Sequence, residues 1–548
     1  MNYRTPLEML RSHAENSGDR PFLHQPANRQ WRIITWKESL RQVQVIAAGL
    51  QAQGLQPGDK VAILAKNSAE WFLADWAIMM AGMISVPIYS TAGESTLKYI
   101  LEHSEAKAVF VGKLDDVTAA NNVLDGSIPR IAFPYPTANA DMQWNQWLQD
   151  YQPIENPVNP SLDDIMSIVY TSGSTGNPKG VIITFKNFAS VSETHSKSME
   201  LGPEDRAVSY LPLAHITERG VIQGPSLYGG GKIYFVESLD TFVDDLKYAQ
   251  PTLFLSVPRL WTRFQSGVYE KLPAKKLEKL LKIPLIGKLI AKKVRTGLGL
   301  NSARLFGSGS APISPSILQW YTTIGVNICE GWGMTETTGL SCTNLPFEAS
   351  RIGTIGMPCD CVEMSLSDEG EIIIRGDAVF KEYYKNPEAT AESFTDGWFH
   401  TGDRALKNPD GSFKIIGRVK EEFKTGKGKY VAPVPIESLL ASNANIEQIC
   451  VMGTGRKQPV AVIVLAEHLQ NADRAPIRES LQETLTSVNE KLESHQKLDC
   501  LIVAKDAWTI ENQYLTPTLK IKRTDLEDHY RTIAMKGELS SVIWEDEV

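Results

Sequence analysis

The segment YTSGSTGNPKG, residues 170–180, decides the reading of this chain. From Thr171 to Gly180 it holds three glycines, four hydroxyl side chains and Lys179. Glycine lets backbone N–H groups crowd around an anion, hydroxyls add donors, and a lysine supplies a mobile positive charge. Such a loop suits nucleotide phosphates. It is not a Walker loop, which needs Ser or Thr after the lysine, because Gly180 follows Lys179. Apolar runs at residues 165–170 and 181–183 flank it, so the pattern predicts strand–loop–strand rather than strand–loop–helix. The bland alternative for the loop taken alone is a flexible Gly/Ser surface turn.

Working outward, 548 residues are enough for several folding units. Hydrophobic content of 42% and charged content of 22% fit a soluble globular enzyme. A net charge of −8 argues against nucleic acid as the main partner. The six cysteines form no CxxC pair and no zinc spacing, which reads as reduced thiols in a cytoplasmic protein. The first residues, MNYRTPLEML, lack the basic-then-apolar pattern of a signal peptide. Residues 71–89 approach the length of a membrane span. They contain Asp75, Gly82 and Pro87, however, so a buried helix feeding a buried strand is the better reading.

The first part of the chain alternates helix and strand patterns. Thr35 and Glu38 form a capping-box pattern before Leu40, Val43 and Ala47, and Gly54 ends that helix. Strands are expected at residues 61–64, 84–88 and 108–111, with helices at 69–81 and 97–102. This predicts an α/β fold in layers with largely parallel sheet. Near Gly417 the character changes to a charged, glycine-rich stretch, GRVKEEFKTGKGKY. Apolar runs return at residues 449–452, 460–465 and 501–503. The expectation is a large N-terminal domain of layered α/β subdomains, residues 1–418. A smaller, mobile α+β domain follows, residues 419–548, with a hinge near Lys420.

Five further segments carry chemistry. LPLAHITERG places His215 and Glu218 in a loop after an apolar run. FGSGSAPIS offers Gly309, Ser310 and Ala311, a small-residue turn whose backbone can press on a flat ligand. EGWGMTE sets Trp332 between two glycines, then Thr335 and Glu336. DGWFHTGD ends in Asp403, and NQYLTPTLKIKR presents Lys520. In this order, over nearly the whole chain, the segments resemble the adenylate-forming superfamily of acyl-CoA synthetases, peptide-synthetase adenylation domains and luciferases. Within it, residues 92–112, 211–220, 250–264 and 396–420 look most like a long-chain fatty-acid–CoA ligase.

That resemblance implies roles. Ser172, Gly173, Ser174, Thr175, Gly176 and Lys179 would embrace the ATP β- and γ-phosphates. Trp332, with Gly333 beside it, stands where relatives place tyrosine against adenine. Thr335 would meet the α-phosphate, Glu336 would ligate Mg2+, and Asp403 would accept from the ribose hydroxyls with Arg418 nearby. His215 joins the catalytic set, and Lys520 would reach in from the small domain. The implied reaction joins a fatty acid to AMP from ATP and passes the acyl group to coenzyme A. The alternatives are an adenylating enzyme that loads an acyl or aryl acid onto a carrier protein, or a non-catalytic nucleotide-binding protein on the same scaffold. Gly417 departs from the aspartate common in long-chain ligases. Residues 220–236 hold no tryptophan for an acyl-tunnel gate, and Tyr228 is the substitute candidate there.

One segment falls outside these motifs. From Lys271 to Arg295 the chain carries nine Lys or Arg residues and one Glu, interleaved with leucines and isoleucines and broken at Pro284. An ordinary solvated helix pair is the plainer reading. The alternative is peripheral contact with the inner surface of an anionic membrane.

Overall fold

The computed structural model describes residues 3–135, 137–171, 177–419, 421–443, 445–470, 472–510, 512–516, 520–534 and 541–547. Ser172, Gly173, Ser174, Thr175 and Gly176 of the glycine-rich loop, and the expected hinge residue Lys420, lie outside the described residues.

The apolar run around Trp71 is a helix, Ala69–Met80, in which every residue is buried. Ser68 caps it by accepting the Trp71 N–H at 3.2 Å. A helix that is apolar all round must be covered all round. On one side lie the strands Lys60–Ala65 and Ile84–Ile88. On the other, Phe72 meets Phe235 edge-on with 5.1 Å between ring centroids, and Trp76 stacks with Phe22 at 5.9 Å. The helix is therefore the filling between two sheets. The first has seven strands, all parallel except the final pair, Ile165–Thr171 with Lys179–Thr184. The second has nine, parallel through its middle from Pro21–Ala27 to Ile328–Met334. A third, antiparallel sheet includes Trp398–Lys407 and Phe413–Arg418.

The alternation read from the sequence holds in the strands and helices through Ala106–Gly112. One local expectation fails. Thr35 accepts the Glu38 N–H at 3.3 Å, but Glu38 turns to Arg41 and Gln42 instead of back to Thr35, so only half the capping box forms. Arginine is the stronger partner for an exposed carboxylate.

Asp75 sits inside the sandwiched helix with no solvent access. Its two oxygens accept from Arg219 Nη2 at 3.0 and 2.8 Å, and Arg219 is equally buried. Arg219 Nη1 donates to Ser167 Oγ at 2.8 Å, and Gln223 Nε2 donates to Asp75 at 3.2 Å. The rings of Trp71 and Phe188 lie 5.6 and 5.8 Å from the guanidinium. Arg219 opens a π-helical turn, Arg219–Gln223, an irregularity often found beside functional sites.

Beyond residue 419 the core is separate. A four-stranded sheet built from Ile446–Met452, Val460–Leu465, Cys500–Val503 and Ser541–Trp544 packs with the helix Arg474–Lys491. Two apolar clusters there draw only on residues from Phe423 onward. The glycine-rich stretch contains a short hairpin, Phe423–Lys424 with Tyr430–Val431. Across the junction Arg404 donates to Glu422 at 2.8 Å, and Arg259 pairs with Glu447. Among the described residues no helix is long and apolar enough to cross a membrane.

Asp75→Ala leaves the Arg219 charge buried without its partner. Removing one member of a buried pair costs about 3–5 kcal/mol, so urea unfolding should show a large drop in midpoint. Pairing it with Arg219→Met should recover part of that loss. Equal midpoints for wild type and Asp75→Ala would show that the pair contributes nothing to stability.

Candidate nucleotide and acyl site

The strands Ile165–Thr171 and Lys179–Thr184 pair antiparallel, with Tyr170 opposite Gly180 and Thr171 opposite Lys179. The glycine-rich segment thus joins two strands, as its flanks predict. Lys179 Nζ lies 4.8 Å from the centroid of the Tyr383 ring. The Tyr383 hydroxyl donates to Glu336 Oε1 at 2.9 Å. Burial, and then Glu336, push the Tyr383 hydroxyl's pKa up, so it remains a donor. Thr335 and Glu336 are buried in the 3-10 turn Thr335–Thr337, directly after the strand Ile328–Met334.

Trp332, on that strand, donates its indole N–H to Asp403 Oδ2 at 2.8 Å. Arg418 Nε donates to Asp403 Oδ1 at 2.6 Å from the directly opposite position of the neighbouring strand. Burial works against the Arg418 charge, but Asp403 outweighs it and holds the guanidinium more firmly protonated. Beside Trp332, Gly333 has no alternative. A Cβ there would fall 1.7 Å from the Gly339 carbonyl oxygen.

The turn after the strand Leu305–Ser308 carries Gly309, Ser310 and Ala311. Ser310 has φ +66° and its Oγ lies 3.3 Å from Thr217 Oγ1. That links this turn to the His215 loop. His215 accepts the Thr217 N–H on Nδ1 at 3.2 Å. Burial, and then the charge of Lys520, bring its pKa down to about 4, so it is neutral at physiological pH. Asn67 braces the same loop. It donates to Ser209 Oγ at 2.9 Å and to the Leu211 carbonyl at 2.7 Å, and accepts the Leu213 N–H at 3.2 Å.

Burial favours the protonated form of two carboxyls here. Burial pushes Glu218 up to about 8, and it does the same to Glu330, whose Oε2 accepts the Gly353 N–H at 2.8 Å. In that form they set no negative charge against an incoming polyanion. Lys520 keeps solvent contact, yet the cleft walls surround its ammonium. Burial and then Arg418 lower its pKa, while Asp403, Glu336 and Glu421 pull it back up.

All of this opens on one cleft of about 4330 Å³ between the large and small parts of the chain. Single small-ligand pockets span about 300–1,000 Å³, so this is an open groove with room for several groups. Lys179, His215, Ser310, Ala311, Trp332, Gly333, Thr335, Glu336, Asp403, Arg418 and Lys520 line it. Gly309 stands behind the lining, donating its N–H to the Ser256 carbonyl at 3.3 Å. Tyr228 is a correction. Its hydroxyl bonds to the Arg4 carbonyl and it packs into the main core, whereas Tyr210 lines the cleft. Sequence reasoning missed Tyr383 and Asn67, which no local spacing marks, and gave no role to Glu330, which opens the EGWGMTE segment.

Among the described residues no three His, Cys, Asp or Glu side chains are grouped to hold a metal. Glu336 offers a carboxylate with one oxygen engaged by Tyr383. That suits Mg2+, which is commonly held by one or two carboxylates plus substrate phosphates rather than by an all-protein cage.

Residues 10–384 match the AMP-binding enzyme family, and residues 424–533 match the AMP-binding enzyme C-terminal domain. The chain belongs to this family of adenylate-forming ligases. Fatty acyl-CoA synthetase A of Dictyostelium discoideum is 30% identical over 94% of this chain and 87% of its own length. Long-chain-fatty-acid–CoA ligase 5 of Rattus norvegicus is 30% identical over 96% and 88%. In fold the chain is similar to the adenylation domain of a carboxylate reductase from Mycobacterium chelonae. The TM-score is 0.82 at 24% identity, covering 97% of this chain and 91% of that one.

Asp403→Ala should weaken ATP binding. Hydrogen bonds to charged groups contribute about 1.5–3 kcal/mol each, so the loss should be at least tenfold by titration calorimetry. Unchanged affinity would remove Asp403 from the nucleotide site.

Proposed function

We propose that this protein is a long-chain fatty-acid–CoA ligase that uses ATP and coenzyme A. The observation that carries the reading is the meeting of Lys179, Glu336, Asp403 and Lys520 on one cleft that also has an apolar wall. That wall includes Phe242, Val257, Leu260, Phe264, Val268 and Ile313. The polar end suits a nucleotide, and the apolar wall suits an acyl chain. The names of the Dictyostelium and rat relatives support the same substrate class.

In the first half-reaction the fatty carboxylate attacks the α-phosphorus of ATP. A new acyl C–O–P linkage forms, and pyrophosphate leaves with the electrons of the broken P–O bond. Little covalent work falls to the protein, and stabilisation of spreading phosphate charge is the main demand. Lys179 and Lys520 would meet that charge. Asp403, oriented by Trp332 and Arg418, would hold the ribose, and Ser310 and Ala311 would press on the adenine. Thr335 would contact the α-phosphate. Glu336 would hold Mg2+, which supplies charge neutralisation when bound. Ser172, Gly173, Ser174, Thr175 and Gly176 would wrap the β- and γ-phosphates. In the second half-reaction the coenzyme A thiol attacks the acyl carbon and AMP leaves. No protein nucleophile is required.

We assign residues 1–418 to the large domain and residues 419–548 to a mobile one, hinged at Lys420. The separate apolar cores, and family matches that end at 384 and resume at 424, support this boundary. Rotation there would withdraw Lys520 after the first step. The deciding experiment incubates purified protein with ATP, Mg2+ and a panel of acids, with and without coenzyme A. Fatty acyl-CoA by mass and stoichiometric AMP are expected. Turnover only with a carrier protein as acceptor would replace this reading with the carrier-loading one.

Lys520→Ala should lower adenylate formation by about 10²–10³ while thioester formation from supplied acyl-adenylate stays near wild type. Equal loss in both steps would end this division of labour. Because the Lys520 pKa lies below its ordinary value, adenylation should fall at alkaline pH with a midpoint under about 10.4. The charged form is the competent one, so activity is lost as pH rises through that pKa. Lys520→Arg should flatten the alkaline limb in whatever activity remains. An identical limb in that variant would assign the titration to another group.

A further inference from the structure

The basic segment outside the motifs folds as a helical hairpin, Ala274–Leu281 and Ile286–Gly297, broken at Pro284 as its sequence predicts. Leu277, Gly287 and Ala291 face inward and are buried. The hairpin is tightly built, since a Cβ on Gly287 would fall 2.3 Å from the Leu281 carbonyl oxygen. Its tip is the opposite of a core. Ile283, Leu285, Ile286 and Leu289 are 43%, 75%, 44% and 68% exposed, and they make up four of the eleven large apolar side chains exposed among the described residues. Around them Lys275, Lys276, Lys279, Lys282, Lys288 and Lys292 are exposed, and none forms an ion pair among the described residues. This positive patch sits on a chain of net charge −8.

Leu285 adds an independent argument. It has φ +66° and ψ −51°, a conformation that strains any residue with a Cβ. Folding alone favours glycine there. A large side chain, strained and three-quarters exposed, has no stabilising role in the chain by itself.

We propose that this hairpin docks the protein on an anionic phospholipid bilayer, with the apolar tip among the acyl chains and the lysines on the headgroups. Exposed apolar residues ringed by lysine are the pattern of interfacial helices, and charge complementarity selects an anionic surface. The hairpin also borders the cleft of the proposed reaction. Leu289, Ile290 and Val294 line that cleft, continuous with Leu272, Val268 and Phe264. Docking therefore sets the apolar end of the cleft against the bilayer, and a fatty acid enters the site from there. The entry route rests on the fatty-acid reading, whereas docking does not.

The test is cosedimentation of the full chain with phosphatidylglycerol vesicles and with phosphatidylcholine vesicles. Wild type should bind the former at low salt, release at high salt, and ignore the latter. Reversing Lys275, Lys276, Lys279 and Lys282 to Glu should cut the partition coefficient by at least about tenfold. Leu285→Gly should cut it by about tenfold through lost apolar burial, without lowering the urea midpoint because backbone strain is relieved. If the quadruple variant misfolds by circular dichroism, Leu285→Gly decides. The proposal is overturned if wild type ignores both vesicle types or binds them equally. It is also overturned if folded variants bind as wild type does. Adenylation of fatty acid in detergent, by the same proteins, should stay at the wild-type level. Vesicle binding without any fatty-acid adenylation leaves docking in place and removes the fatty-acid reading.

Discussion

One guanidinium holds the site's framework together. Arg219 bonds to Asp75 in the helix between the sheets and to Ser167 in the strand that leads to the glycine-rich loop. Its own chain segment begins four residues earlier with His215. The core helix, the phosphate-side strand and the His215 loop are thus fixed to one another through a charge that has no water to turn to. Inside a protein such a pair is strongly directional, and any displacement leaves a buried ion unmet. Arg219 is also the first residue of the π-turn, all of whose residues are buried. Precision at the cleft is set from behind it.

On the cleft side the organising group is Asp403. Each of its oxygens already has a donor, Trp332 and Arg418, on neighbouring structural pieces. The indole therefore does more than offer a flat face, because its N–H orients the acid. A phenol in the same position would place its donor differently, so the tryptophan and the acid are best understood as one unit. Lys520 arrives from the other part of the chain into a field shaped by Arg418 and Asp403 together.

Much of this was legible in the sequence for reasons that can be named. The hairpin around the glycine-rich loop, the buried helix at Ala69 and the parallel layers follow from apolar runs and punctuation, which are local properties. The motif residues were legible because ordered segments carried the family resemblance. Asp75 was visible as a charge in an apolar run, but its partner lies 144 residues away, and no periodicity reports that distance. Tyr383 was hidden for a similar reason, since its contacts to Lys179 and Glu336 join three separate stretches. Tyr228 misled because proximity in sequence to the His215 loop is not proximity to the cleft. The Thr35 box half-failed because Arg41 competes for Glu38 in a way the four-residue pattern does not weigh.

The junction between the two parts of the chain has its own consequence. Its side-chain ion pairs, Arg404 with Glu422 and Arg259 with Glu447, keep solvent access on at least one partner. Pairs of that kind are worth about 0–1 kcal/mol each, and two of them favour one pose over another by about thirtyfold at most. In the proposed hinge, ion pairs that weak would leave the choice of pose to whatever occupies the groove. In the proposed two-domain reading, the arrangement of the two parts is a population that a nucleotide, an acyl group or a thiol would redistribute as one ligand is exchanged for the next.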